Sequence, residues 1–416
     1  MKRLVVGPEH LVVGIDIAKS LHWAQFIDPF GKKLGKPYSF QNTREGFENL
    51  VLRATACLKE QGLKAVIFGM EPTGHYGKAL AEYLVDRGYN FVLVNPMHVK
   101  KSKEFADNSP SKNDRKDAYT ISKLIRDNNF LMPLRKTGVY ADLEEYGKTR
   151  SMVIEKIKAV KCQIKASIDQ FFPELPTLFR TMSAKSTRWL LATAPFPRQI
   201  LSMSEEALTN GLKQVSNRHQ GLKRARKLMT LAAESIGVRQ GSDAAAQRMA
   251  ILISEYEQYL KEQELIETRL KEAFRETGLA EYIQSIPGVG EITGALFLAE
   301  IGDPTNYNNW REIQKLAGLN IRENDSGKHR GKRTITKRGR ASLRSLAYQL
   351  ALMAVVHNKE LRYIYDQLTG RSNRPLQKKQ ALVAISVKVL RIMFVLSKKK
   401  TRYQPERAAY KAIAAA

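Results

Sequence analysis

The chain has 416 residues, enough to bury a large core and to divide into roughly two or three domains. Hydrophobic residues make up 43%, which excludes wholesale disorder, and 69 Lys and Arg against 41 Asp and Glu give a formal charge of +28. Such a balance points to a polyanionic partner, nucleic acid first, over a merely cationic surface. No apolar run in the sequence reaches the ~18 residues a spanning helix needs, so no membrane partner is expected. The opening "MKRLVVGPEHLVVGIDIAKS" breaks at Gly7–Pro8 and meets an acid at Asp16, so it does not read as a signal peptide. Cys57 and Cys162 show no metal spacing; a reducing, cytoplasmic setting suits them, with both as packing residues.

Residues 1–135 alternate strand and helix patterns. "HLVVGIDIA" reads as a buried strand, and "HWAQFIDPFGKKLGKPYSFQN" as two more joined by the turn-forming "DPFGKK". "TREGFENLVLRATACLKEQG" is helical, with Thr43 as N-cap and Gly62 as stop. A strand "AVIFGME", a helix "GKALAEYLVDRG", a strand "FVLVNP" and a helical tract through "KNDRKDAYTISKLIRDNN" follow. The result is an α/β domain with three strands, then one, then one. Residues 136–277 are helical. Val153, Ile157, Val160, Ile164 and Ile168 form one apolar stripe ending before Pro173; Leu252, Tyr256, Tyr259, Gln263, Ile266, Leu270 and Ala273 form another. Two such stripes suit an antiparallel hairpin or coiled coil. Between them, "SNRHQGLKRARKLMTLAAESIGVRQG" is basic enough for a nucleic-acid contact. A third region spans 278–400, ending in the apolar helix "KKQALVAISVKVLRIMFVLSKKK"; 401–416 lack a core pattern and read as a frayed tail.

Acids stand where apolar strands should not carry them. Asp16 lies within "VVGIDIAK" and Glu71 follows the strand "VIFGM". A carboxylate buried there is costly unless it binds a cation or marks the strand end. Asp114 and Asp117 are three apart, so a helix presents both on one face. Together the four could converge on Mg²⁺, which keeps waters and contacts phosphate, and paired ions can stabilise both oxygens in a phosphoryl displacement. Each acid alone has a plainer explanation: Lys112, Arg115 and Lys116 could make Asp114 and Asp117 a salt-bridged helix surface. The order of acids is the layout of ribonuclease H-like nucleases and transposases. His75 reads as a turn or packing residue.

Toward the C-terminus, "IPGVGEITGALFLAEIGD" has the form of a helix-hairpin-helix. Its Gly288 and Gly290 would expose backbone N–H groups to a phosphate; a tight turn between packed helices is the alternative. A short helix "NWREIQKLAGL" then leads into "ENDSGKHRGKRTITKRGRASLR". This run holds Ser326, Gly327, Lys328, His329, Arg330, Lys332, Arg333, Lys337, Arg338, Arg340 and Arg344. The stripe Leu343, Leu346, Leu350 and Met353 anchors it on a buried helix. Locally Ser326 is a turn former, because a serine hydroxyl needs a base, a metal or anion stabilisation to attack phosphorus.

The order "GIDIAK", "EPTGHY", "KNDRKDA", "IPGVGEITGA", "AGL" then "SGKHRGK", and "ITKRGRASLR" resembles, from end to end, the DEDD transposases of the insertion-sequence one-ten group and the related Piv-type DNA invertases. The resemblance implies a RuvC-like N-terminal domain, a coiled-coil middle and a C-terminal transposase domain. It implies Asp16, Glu71, Asp114 and Asp117 as the Mg²⁺-binding set and Ser326 as the nucleophile of a phosphoserine–DNA intermediate. It further implies guidance by a non-coding bridge RNA pairing with donor and target DNA, and a dimer or tetramer sharing composite sites between protomers. Asn320 stands after "AGL" where the family often has proline, and the middle region is long. The expected fold is therefore α/β plus all-α, and the expected activity DNA transposition and recombination. The competing readings are a RuvC-like nuclease using metal-activated water and a packaging protein without chemistry. A sugar-kinase-like ATPase rests on "GIDIAK" alone, and Tyr403 lacks a catalytic set around it.

Overall fold

The computed structural model describes residues 4–72, 74–107, 114–133, 135–322, 325–326, 329–331 and 333–405; the side chains of 106–107, 114–115, 325–326 and 329–330 are excluded from that description. The chain divides at Arg135 into two compact units.

In the first unit, β1 (His10–Asp16), β2 (Leu21–Ile27) and β3 (Tyr38–Gln41) form an antiparallel meander. Helix α1 (Arg44–Glu60) starts where Thr43 Oγ1 accepts the Gly46 N–H at 3.2 Å, and ends at Gly62, whose φ is +64°. β4 (Ala65–Met70) then pairs parallel with β1 and, after α2 (Lys78–Asp86), β5 (Asn90–Leu93) pairs parallel with β4. The sheet order β3-β2-β1-β4-β5 is consistent with the ribonuclease H-like domain expected from the sequence. Two further helices, α3 (Pro96–Asp107) and α4 (Asp114–Arg126), complete the unit; the first was not anticipated.

Alternation along β1 sorts its side chains between two cores. Leu11, Val13 and Ile15 join Phe47, Leu50 and Leu80 on one face, whereas Val12 joins Ile121, Leu124 and Ile125 of α4 on the other. Gly14 makes that second packing possible. A Cβ there would overlap Ser122 N and Ala118 O and lie 2.8 Å from Ser122 Cα, so only glycine lets α4 rest on the strand backbone. Gly69, its partner in register on β4, has a similar role under Ile125 and Val92.

His22 is fully buried between Phe40 and Phe47, with Nδ1 accepting the Ala18 N–H at 3.2 Å. Burial pushes its pKa below 6.5, opposed by a hydrogen bond with Asn42. A neutral imidazole is thus favoured in the folded state, and its contribution is complete above pH 6.5 and lost as the pH falls below it. Thermal unfolding midpoints are expected to drop between pH 7.5 and 5.5. His22→Gln, which does not titrate there, should flatten that dependence.

The second unit is built on two long helices, α5 (Val139–Phe171) and, after five short ones, α11 (Ser242–Glu276). They run antiparallel: Arg150 pairs with Glu267, Lys156 lies over Tyr259, Lys161 over Tyr256, and Arg248 donates to Ser167. The predicted stripe Val153–Ile157–Val160–Ile164–Ile168 is buried throughout. At the far end of the hairpin it packs against α7 (Lys185–Thr193), α8 (Pro197–Leu201), α9 (Glu205–Val215) and α10 (Leu222–Ala233), with α6 (Leu175–Leu178) at the entry. The near end enters a second core through Leu143, Leu270, Ala273 and Phe274. That core gathers α12 (Ala280–Gln284), α13 (Glu291–Ile301), α14 (Trp310–Leu316), α15 (Ala341–His357), α16 (Lys359–Gly370) and α17 (Lys378–Lys399).

Four details differ from the sequence reading. Met353 is 46% exposed, although Leu343, Leu346 and Leu350 of the same stripe are buried. Cys162 is exposed on α5, whereas Cys57 packs into the first unit and burial raises its thiol pKa. α17 is long and apolar enough to cross a membrane by length and composition; half of that stretch is buried, with Ile385, Val389, Leu390, Met393 and Phe394 in the core. The tail does not fray at once: the Tyr403 N–H donates to Ser285 Oγ at 2.8 Å, and Arg402 pairs with Glu281.

Candidate active site

The acids of the first unit are placed by the sheet. Asp16 ends β1 on the same alternation as Val12 and Gly14, so it belongs to the α4 face, and it is partly buried. Glu71 follows β4 directly, in alternation with Ile67 and Gly69. Because Ile15 and Met70 are in parallel register, the two carboxylates leave neighbouring strands at the same end.

Asp117 comes to that end from α4. The far end of the helix is fixed beside the entry to β1, where Asn128 Oδ1 accepts the Val6 N–H at 2.8 Å and Arg126 donates to Phe30 O at 3.2 Å. The first turn therefore points toward the strand exit, where Asp16 stands. Asp117 is 8% exposed, and its carboxylate pairs with Lys103 of α3. Lys103 was missed in the sequence because its helix carries no apolar periodicity. Asp114 opens α4, but its side chain lies outside the described residues. His75 is exposed and its ring lies tilted against that of Tyr76, a surface contact.

Oxygen donors on adjacent strand ends suit a hard divalent cation: Asp16, Glu71 and Asp117 are the groups that could hold one, and Lys103 would compete with it. Among the described residues, no three carboxylate, imidazole or thiol groups already converge at metal-ligating reach.

In the second unit, the basic run is a pair of short antiparallel ladders. β6 (Ile321–Arg322) pairs with β9 (Thr334–Ile335), and β7 (Asp325–Ser326) pairs with β8 (His329–Arg330), placing Ser326 opposite His329 in register. Gly327, Lys328 and Lys332 lie outside the described residues, as do the side chains of Ser326, His329 and Arg330.

The base of the ribbon is tightly held. Gly318 has φ +66°, its carbonyl accepts the Lys337 N–H at 3.0 Å, and a Cβ on Gly339 would overlap Leu316 O. Arg340 donates to Glu300 O, and Arg344 donates to Ala317 O at 3.0 Å. Those two arginines anchor the ribbon, leaving Arg333, Lys337 and Arg338 exposed at its base. Gly288 has φ +91° and sits against the Met353 carbonyl, so it serves helix packing; Gly290, the N-cap of α13, is open on its Cβ side.

Known proteins match both ends of the chain. A transposase family model for the DEDD domain of the IS110 group matches residues 13–173, and one described as the IS116/IS110/IS902 transposase family matches 280–366. The 44.8 kDa protein of insertion element IS116 from Streptomyces clavuligerus is 25% identical over 412 residues, covering 95% of this chain and 97% of the relative. The transposase of IS1111A from Coxiella burnetii is 24% identical over 84% of this chain and 79% of its own length. The transposase of IS1328 from Yersinia enterocolitica reaches 32%, over 37% of this chain and 46% of its own. With the acids ordered on a five-stranded mixed sheet and both family models matched in sequence, the chain belongs to the IS110 family of transposases.

Proposed function

We propose that this transposase cuts and rejoins DNA through a phosphoserine intermediate, with Ser326 as nucleophile and Asp16, Glu71, Asp114 and Asp117 holding Mg²⁺. The reading is carried by one observation: two parallel strands and a helix pressed onto Gly14 deliver three of those acids to one end of one face. Bound there, the cation supplies charge stabilisation to a phosphodiester under attack. The Ser326 Oγ–P bond forms as one P–O bond of the DNA backbone breaks; the hydroxyl proton passes to solvent and the departing oxygen takes one up. Rejoining reverses the exchange with a different DNA oxygen, so no hydrolysis intervenes. Ser326 and the acids belong to different units, and protomers of an oligomer exchange them to complete the site. Gly290, Lys337 and Arg338, with the ribbon tip, hold phosphates, and a non-coding RNA selects donor and target by base pairing. The setting is the cytoplasm.

The nuclease alternative needs no serine. Ser326→Ala is expected to eliminate the covalent protein–DNA adduct and strand exchange while Mg²⁺-dependent DNA binding persists. Denaturing gels of labelled element ends read this directly. Full cleavage by Ser326→Ala would establish water as the nucleophile instead.

A further inference from the structure

The second unit carries a further cationic cluster, on α14 and α17. α17 contains Lys378, Lys379, Lys388, Arg391, Lys398 and Lys399 and no acid. A stripe of Ala384, Lys388, Arg391 and Val395, at spacings of four, three and four, runs along α17, which packs against α14. Half-buried Trp310, the first residue of α14, meets this stripe. The Arg391 guanidinium lies 5.0 Å from its ring centroid and that of Arg311 lies 5.1 Å away. Lys315 continues the α14 face one turn after Arg311, and the helix's acid, Glu312, acts on Tyr307.

The arrangement is electrostatically unfavourable by itself. Two guanidiniums lie near one indole, with Lys388 three residues before Arg391 and acting on it as a like charge, and among the described residues none of Arg311, Lys388 and Arg391 forms an ion pair. Burial, and then the neighbouring Arg391, hold the Lys388 ammonium below its usual pKa, so the folded protein carries this charge at a cost. Lys398, by contrast, is committed to packing: it donates to Tyr307 O and lies over Phe394. A guanidinium laid on an indole loses rotamer freedom before any partner arrives, so less is lost when it grips an anion.

We propose that Arg311 and Arg391, ordered at Trp310, and Lys388 beside Arg391 form a phosphodiester clamp for nucleic acid, built on α14 and α17 and not from the strands that carry Ser326. The proposal rests on the nucleic-acid role above. Its chemistry, adjacent phosphates relieving a cluster of unpaired cations, is shared by RNA and DNA.

The test uses the full chain and three probes: poly(U), poly(dT) and a mixed-sequence DNA duplex, each titrated across a range of salt concentrations. Lys388→Gln/Arg391→Gln is compared with Lys59→Gln/Lys64→Gln, which removes the same charge from the first unit. For at least one probe the clamp variant should bind about tenfold more weakly and lose about one to two from the slope of log Kd against log salt. The control should keep the wild-type slope. Arg391→Gln alone, at an exposed position, should give about half that change. The thermal midpoint of Lys388→Gln should stay level or rise, since a repelled charge is removed. Loss confined to poly(U) assigns the clamp to RNA, and loss confined to poly(dT) or the duplex assigns it to DNA; either supports it. A clamp variant indistinguishable from the control on all three probes overturns the clamp and leaves the transposase reading intact. A wild-type chain that binds none of the probes overturns both the clamp and the phosphate-holding role it rests on.

Discussion

Asp16→Asn is expected to lower Mg²⁺-dependent strand cleavage on the order of 10²–10³-fold or more, the scale seen when one group of a preorganised charge-stabilising site is lost. The amide keeps the shape of the side chain but loses the charge that draws a hard cation. A second readout separates this from misfolding. Added Mg²⁺ should raise the unfolding temperature of the wild type, because a ligand bound only by the folded state stabilises it, and should not raise that of the variant. Asp117→Asn should show the same loss of cleavage together with lower stability without metal, because it also strands the Lys103 ammonium. An Asp16→Asn protein that cleaves at the wild-type rate would remove the acids from the mechanism.

Gly14→Ala should be among the most damaging single-methyl changes in the chain. The added carbon meets backbone atoms of Ser122 and Ala118, which cannot rotate away, so α4 must lift from the sheet. The expected cost is about 3 kcal/mol or more, at the upper end of overpacking effects. Lifting α4 also carries Asp117 away from Asp16, so cleavage should fall even in molecules that remain folded. Gly370→Ala provides the contrast: a methyl there meets nothing within 4 Å, on α16, and should be neutral or slightly stabilising. Chemical denaturation of the two variants checks both expectations.

The site was legible in the sequence where burial and charge conflict. An aspartate at the end of "HLVVGID" breaks the apolar rule of its own strand, and alternation then fixes the face it shares with α4. The long helices were equally plain, because five apolar residues at spacings of four, three, four and four leave no other period. Helix α3 was not, since among its described residues Val99 alone joins the core and Phe105 is 96% exposed. Its Lys103 was therefore hidden, although it contacts the most buried of the described acids. The basic run was less legible. Composition makes Arg340 and Arg344 look like phosphate ligands, and in the fold one nitrogen of each donates to a carbonyl, of Glu300 and of Ala317. Charge patterning registers that a cation is present, and says nothing of which backbone carbonyl folding brings beside it.

The two matched segments end at residue 173 and resume at residue 280, so the small helices at the far end of the α5–α11 hairpin fall between them. Each long helix is fastened at both ends, to that outlying bundle and to the core that supports the ribbon. A change within the outer bundle therefore reaches the core that supports the ribbon only through the two long helices.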